Sequence, residues 1–307
     1  MIATLTLNPS LDYFMRLEAL NVGRLNRAIE TAVRPGGKGI NVSRVLKRLG
    51  VDSRAFGFIG GFTGDFIRRF LAEEGISAEF TVLEGLTRIN VKISADRETE
   101  MNGAPQPISQ EDVERLLSVL GRLNAGDVFV MAGSVPASLP PDIYRRIIEK
   151  LPAGVKPVVD TSGRPLAEAI AARPYLIKPN RDELGQLFAT DIQTVEETVL
   201  YAEKLLDEGV ENVIVSLGAD GALFMNREVA LRASVPQGQI RSTVGSGDSL
   251  VAGFLAALEK GMAPAEAFRF GVAAGTATAF SDDLCTAEDV EKIWPRIALS
   301  TIREKRH

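Results

Sequence analysis

Short runs rich in β-branched residues alternate along this chain with helical patterns, and that rhythm limits the fold more than any other feature. Strand-like runs cover Ile2–Leu7, Arg54–Ile59, Asp127–Ala132, Pro157–Asp160, Tyr175–Lys178 and Asn212–Leu217. Between them, Val42, Val45, Leu46 and Leu49 recur at i, i+3, i+4 and i+7, with Gly50 as a stop. Ser109 with Asp112, and Thr194 with Glu197, carry the capping-box spacing that opens a helix. Val113, Leu116, Leu117 and Leu120 form the apolar stripe of the first, and the second ends near Gly209. Strands alternating with helices predict an α/β fold whose mostly parallel sheet is covered on both faces. The 307 residues are enough to bury a sizeable core, and we expect a single domain over 1–307.

Two stretches, about 13–34 and 79–102, break the rhythm as extended segments without a long helix between them. In Arg88-Ile89-Asn90-Val91-Lys92-Ile93 the alternation is strict. Arg88, Asn90 and Lys92 share one face and Ile89, Val91 and Ile93 the other. A small sheet with a cationic face beside an α/β body reads as a lid over a site, or as an edge hairpin with a solvated outer face. Further on, 248–258 and 265–280 have little polar face, which predicts buried helices. A surface helix over 286–294 and a frayed tail, Arg303-Glu304-Lys305-Arg306-His307, close the chain.

Composition removes several chemistries. There is one His, His307 at the terminus, and one Cys, Cys285. That excludes a His-based triad, a His/Cys zinc cage, a CxxC pair and an intrachain disulfide. The formal net charge of −5 argues against a dedicated nucleic-acid binder. No apolar run reaches the roughly 18 residues of a membrane span. The first residues lack a basic region ahead of their apolar stretch, so a strand and a cytoplasmic location are expected rather than a signal peptide. Cys285 and Trp294 read as structural.

Five constellations carry the chemistry that remains. Ser242-Thr243-Val244-Gly245-Ser246-Gly247-Asp248-Ser249 leads into a buried helix. Small residues there let backbone N–H groups converge where the helix dipole favours an anion. Asp248 either caps that helix or takes a proton from an attacking hydroxyl. Pro35-Gly36-Gly37-Lys38-Gly39-Ile40-Asn41 opens another helix, without Walker A or G-x-G-x-x-G spacing. Asn41, one turn in, can grip a hydroxyl. Lys178-Pro179-Asn180-Arg181-Asp182-Glu183 follows a strand, where ligands gather. Asn180 and Glu183 there form a capping box, or Glu183 meets metal-bound phosphate. Ser216-Leu217-Gly218-Ala219-Asp220-Gly221 is a turn or a loop along a nucleotide. Asp12 sits after the first strand, in an Asx-turn or on sugar hydroxyls. Residues 13–38 hold Arg16, Arg24, Arg27, Arg34 and Lys38 against Glu18 and Glu30, a surplus that points to an anionic ligand.

Together, in this order, these pieces resemble the PfkB, or ribokinase, family of carbohydrate kinases. GGKGINVSRVLKRLG (36–50) is similar to the family's N-terminal signature and STVGSGDSLVAGF (242–254) to its C-terminal one. KPNRDE and SLGADG are similar to its nucleotide-side motifs. The resemblance implies a ribokinase-like body with a β lid and phosphorylation of a sugar alcohol by ATP with Mg2+. It assigns Asp248 as base and Gly245, Ser246 and Gly247 as the anion hole. It places Asp12, Gly36, Gly37, Lys38 and Asn41 on the sugar. Lys178, Asn180, Ser216, Gly218 and Gly221 would lie along the nucleotide, with Glu183 organising the metal. A potassium site near Ser242 and Val244 is implied in the same way. The exposed lid edges and the apolar backs of Ile89, Val91 and Ile93 need cover, which predicts a homodimer through the lid, as is common in the family, or a lid that closes over its own site.

Within the family, the TLNPSLD opening, Lys38 and the TRINVKI segment (87–93) resemble the branch acting on ketohexose monophosphates. A substrate that already carries phosphate needs fixed cations, and Arg88, Lys92 and Lys38 can supply them. The expected reaction is fructose 1-phosphate to fructose 1,6-bisphosphate. Tagatose 6-phosphate is the alternative substrate, then fructose 6-phosphate. Ala104, after Asn102-Gly103, departs from the glycine or proline expected there. A non-catalytic sugar-phosphate sensor would have lost the base or the anion hole, and a dinucleotide oxidoreductase would need the glycine fingerprint.

Overall fold

A computed structural model describes residues 1–304 of the chain. Its first strand, β1 (Ile2–Thr6), is buried throughout, and alternation along it sets up two layers. Ala3 and Leu5, with Leu7 beyond the strand, face one apolar cluster and Ile2 faces another. Thr4 and Thr6 share the Ile2 face, where a buried hydroxyl needs a partner. Thr4 shares a 2.8 Å hydrogen bond with Ser43, and Thr6 accepts from the Ile40 amide at 3.0 Å. That second bond replaces the missing side-chain cap of the helix opened by Gly37.

Next come β2 (Ser10–Arg16), β3 (Glu30–Gly36), α1 (Lys38–Arg48), β4 (Ser53–Ile59), α2 (Gly61–Glu73) and β5 (Ser77–Val82). After these lie β6 (Ile89–Ser94), β7 (Glu98–Met101), α3 (Gln110–Leu120), β8 (Val128–Ala132), α4 (Ile143–Lys150) and β9 (Lys156–Asp160). The chain continues through α5 (Gly163–Ile170), β10 (Leu176–Ile177), α6 (Arg181–Leu187), α7 (Val195–Asp207), β11 (Asn212–Ser216), β12 (Ala222–Asn226) and β13 (Val229–Ser234). It closes with α8 (Ser246–Glu259), α9 (Pro264–Ala279), α10 (Ala287–Ile293) and β14 (Ala298–Glu304).

The main sheet has ten strands in the order β14-β13-β12-β11-β10-β9-β8-β1-β4-β5. From β5 to β11 every pairing is parallel, and β12, β13 and β14 add antiparallel strands at one edge. One apolar cluster packs α1, α8, α9 and α10 on one face, and a second packs α3 to α7 on the other. α8 is buried from Asp248 to Ala257, as its lack of a polar face requires. The capping boxes at Ser109 and Thr194 are both formed. Among the described residues no helix is long and apolar enough to cross a membrane.

A separate four-stranded sheet, β3-β2-β6-β7, forms the lid. Two expectations are corrected here. Residues 79–82, read as lid, lie in β5 and pair in parallel with β4 on the main sheet. An edge strand after a βαβ crossover shows the same half-exposed pattern as a lid strand, so periodicity does not separate them. The tail expected to fray instead pairs through Arg303 and Glu304 with β13. Arg303 pairs there with Glu203 at 2.5 Å. Residues 305–307, His307 included, lie outside the described residues.

Candidate active site

Between the C-terminal ends of the parallel strands and the lid lies a cleft of about 1290 Å³. Open α/β sheets collect ligands at that end. Arg88, just before β6, and Asn90 and Lys92 on it face into the cleft, with Asp12 beside them on β2. Gly37, Lys38 and Asn41 enter from α1, and Gly245, Ser246, Gly247 and Asp248 from the start of α8. Lys178, Asn180, Glu183, Ser216, Gly218 and Gly221 line the far half. Gly36 does not line the cleft. It lies behind Asp12, where a Cβ would sit 2.5 Å from the carboxyl, so glycine is needed for the close approach.

On the lid side Asp12 is buried and held. Its Oδ1 accepts from Ser10 at 2.6 Å and from Asn90 at 2.9 Å. The Arg88 guanidinium donates to the carbonyls of Asn8 at 3.1 Å and Pro9 at 3.3 Å. Among the described residues it has no carboxylate within salt-bridge distance, and burial lowers its pKa against the pull of Asp12. A cation fixed by carbonyls and facing a cleft is a ready partner for an anion. Lys92 differs, because it is paired with Glu100 across the lid hairpin at 2.8 Å.

The cationic surplus of residues 13–38 does not converge on the cleft. Arg16 pairs with Glu30, and Arg34 stacks on Phe14 and pairs with Asp283. Of the cations in that stretch only Lys38 lines the cleft. Charge surplus along a sequence carries no direction, and strand alternation turns neighbours to opposite faces.

At the far end, Gly245 takes the left-handed conformation (φ 79°) and starts α8 without a side-chain cap. The first amides of a helix lack intrahelical partners, and those of Gly247 and Asp248 find no other protein acceptor among the described residues. The Ser246 hydroxyl is buried there without a partner. An unfilled donor set at a helix N-terminus suits a phosphoryl group. Asp248, 4% exposed, accepts at Oδ2 from the Asn41 side-chain Nδ2 at 2.8 Å. Burial, and then the charge of Asp160, push its carboxyl up to about 6, against the pull of Lys38, Asn41 and Lys178.

Asp160 carried no role in the sequence reading. It ends β9, is 1% exposed, and takes Lys38 at 3.0 Å and Lys178 at 3.4 Å on one oxygen. Burial opposes its charge, but the two lysines hold its pKa below the usual carboxylate range. Burial likewise works against the Lys38 ammonium, and Asp160, Asp248 and Glu183 outweigh it, raising its pKa. The available signal was position alone: a carboxylate at the C-terminal end of a predicted strand. Asn8 and Ser134, joined at 3.0 Å, also line the cleft and were missed.

Farther along the cleft, Asn180 and Glu183 do form the capping box. The Asn180 amide donates to Glu183 Oε2 at 2.8 Å, and the Glu183 amide donates to Asn180 Oδ1 at 2.7 Å. Asn180 Nδ2 and Glu183 Oε1 take no protein partner among the described residues. Capping and ligand binding are therefore compatible here.

A 1-phosphofructokinase of Bacillus subtilis is 48% identical over 303 residues, covering 98% of this chain and all of that one. A D-tagatose-1-phosphate kinase of Bacillus licheniformis is 37% identical over 95% of this chain and 96% of its own length. Phosphofructokinase-2 of Escherichia coli has been solved with substrates and products, and separately with potassium. Each of those structures superposes with a TM-score of 0.91 at 29% identity, over 96% of this chain and 98% of that one. Residues 5–289 match the pfkB family of carbohydrate kinases, and the chain belongs to that family.

Proposed function

We propose that the cleft transfers the γ-phosphoryl group of ATP to the 6-hydroxyl of fructose 1-phosphate, giving fructose 1,6-bisphosphate and ADP. One observation carries the reading. A buried carboxylate, Asp248, stands at an open helix N-terminus, in the same cleft as Arg88, a guanidinium with no carboxylate partner among the described residues. The first pair suits a hydroxyl attacking a phosphoryl group, and the second suits a phosphate already on the sugar. The 1-phosphofructokinase relative supports the same substrate.

The chemistry is positioning and charge stabilisation more than covalent work. Asp12, Lys38 and Asn41 hold the sugar, with Gly36 and Gly37 giving room beside them. Arg88, set by the Asn8 and Pro9 carbonyls, anchors the 1-phosphate. The 6-hydroxyl oxygen forms a bond to the γ-phosphorus as the bond from that phosphorus to the β,γ-bridging oxygen breaks. The hydroxyl proton goes to Asp248. The amides of Gly245 and Gly247 meet the charge on the phosphoryl oxygens, while that of Ser246 donates to the Thr243 carbonyl at 3.3 Å. Lys178, Asn180, Ser216, Gly218 and Gly221 lie along the nucleotide.

Among the described residues no three His, Cys, Asp or Glu side chains cluster as a metal cage. Magnesium held through substrate phosphates needs only one or two carboxylates, and Glu183 fits that role. When bound, magnesium supplies charge neutralisation on the phosphates. Where a potassium site is expected, near Ser242 and Val244, the Ser242 hydroxyl accepts from the Val244 amide at 3.2 Å.

Side-by-side assay of fructose 1-phosphate, tagatose 1-phosphate, tagatose 6-phosphate and fructose 6-phosphate tests the substrate. Fructose 1-phosphate should give the highest kcat/KM. Preference for a 6-phosphate would overturn the reading, and no ADP release with any of them would favour a sensor. Phosphorylation of tagatose 1-phosphate is the second reading, favoured by the 37% identical relative that also takes a C1 phosphate.

A homodimer through the lid is part of the same proposal. Ile89 and Met101 are 39% and 52% exposed on the lid, and apolar strand faces of this kind need cover. Gel filtration with light scattering tests it, and a monomer at micromolar concentration would remove it.

A further inference from the structure

Resting on the reading of Asp248 as the base, we propose that Asp160 is a positioning residue that ties the sugar half of the site to the nucleotide half. It would hold the ammonium groups of Lys38 and Lys178 beside the open N-terminus of α8 and set the charge around Asp248. Lys38 arrives on α1 from the sugar side, and Lys178 follows β10 from the nucleotide side. Both meet the same oxygen of Asp160, at 3.0 Å and 3.4 Å. The Lys178 ammonium lies against the first turn of α8, 3.0 Å from where a Cβ on Gly247 would stand. Both cations are thereby fixed within reach of the phosphoryl group's position.

The arrangement is not explained by packing alone. Burying a carboxylate costs several kcal/mol, and a pair that served only stability would satisfy both of its oxygens. Oδ2 of Asp160 is buried and has no partner among the described residues. The platform beneath it is fully bonded. The Gly133 amide donates to the Asp160 carbonyl at 3.0 Å, and Tyr144 and Thr161 donate to the Gly133 carbonyl at 3.1 and 2.8 Å. The Asp160 main chain is therefore set before either lysine is added.

The groups facing Asp248 come from four elements. α1 presents Lys38 and Asn41, the end of β9 presents Asp160, and the segment after β10 presents Lys178. On the α9 side stand Gly275 and Thr276, which do not titrate. Removing the Asp160 charge leaves two cations and no second carboxylate, so Asp248 ionises more easily.

The test is the pH dependence of kcat for Asp160→Asn, at saturation with both substrates so that free phosphate ionisation does not enter. Three results are expected together. Turnover falls about a hundredfold or more, because two oriented cations lose their anchor. KM rises for ATP and for the sugar phosphate alike. The acid limb of kcat moves down by roughly one pH unit. Asp160→Glu, which keeps the charge, should restore the limb to the wild-type position. A purely structural role would lower turnover and leave the limb in place, and that result overturns the proposal. So would a rise in KM confined to one substrate.

Should Asp160→Asn fail to fold by circular dichroism, Lys38→Met decides. That change leaves Asp160 facing Asp248 with one cation fewer, so the limb must move up, and an unmoved limb overturns the proposal. Failure of the underlying reading looks different: Asp248→Asn would then keep its turnover.

Discussion

Replacing Asp248 by Asn should cost activity and add stability, with a pH dependence that identifies the cause. The substitution keeps shape, and the Asn side-chain carbonyl can still accept from Asn41, now 2.8 Å from the carboxylate. What it removes is a buried charge. The carboxyl is pushed from 3.8 up to about 6, the net result of burial and Asp160 against Lys38, Asn41 and Lys178. About two units at 1.36 kcal/mol each make ionised Asp248 a burden of about 3 kcal/mol on the folded state.

The sign follows from the direction of the shift. Below 3.8 the group is protonated in both states and the penalty is absent. It grows as pH rises from there through about 6 and is complete above it. For a chain of this size about 3 kcal/mol corresponds to roughly 5 °C in Tm. Calorimetry at pH 4 and pH 8 should therefore show little difference between variant and wild type at the lower pH. At the higher pH the variant should melt several degrees later. Turnover should fall by about 10² to 10⁴, the usual range for a lost general base. A variant that melts earlier at pH 8 would refute the burial argument. One that keeps turnover within a few-fold of wild type would refute the assignment of the base.

Other perturbations separate the two halves of the cleft. Arg88→Ala should raise KM for the sugar phosphate by about 10- to 100-fold with kcat little changed; an unchanged KM removes Arg88 from the phosphate site. Glu100→Gln frees Lys92 from its 2.8 Å partner and should act in the opposite direction, lowering that KM. Steady-state kinetics showing no change would mean Lys92 does not reach the substrate. Gly36→Ala places a methyl 2.5 Å from the Asp12 carboxyl and should raise KM for the sugar while sparing KM for ATP; an unchanged KM for the sugar, or an equal rise in both, would contradict the close-approach argument.

Much of the site was legible because it is built from local geometry. A glycine before a helix, a strand that ends at a loop and an Asn three residues before a Glu are short-range features. The chain forms them wherever it folds, which is why Gly245, Gly37 and the Asn180–Glu183 box stand as the sequence suggests. Alternation along β6 likewise sets Arg88, Asn90 and Lys92 on one face before any partner is known.

What tertiary structure decided were relations between distant segments. Asp160 meets Lys38 across 122 positions of sequence, and Asn41 meets Asp248 across 207. Only the parallel sheet brings those strand ends and helix starts together. Charge shows the same division. Sequence determined that Arg88 and Lys92 share a face, while the fold decided that, among the described residues, Lys92 has a carboxylate partner and Arg88 has only carbonyls. Periodicity fixes which way a side chain points, because that depends on its own backbone. Whether a charge is free or neutralised depends on what the rest of the chain places within about 4 Å of it.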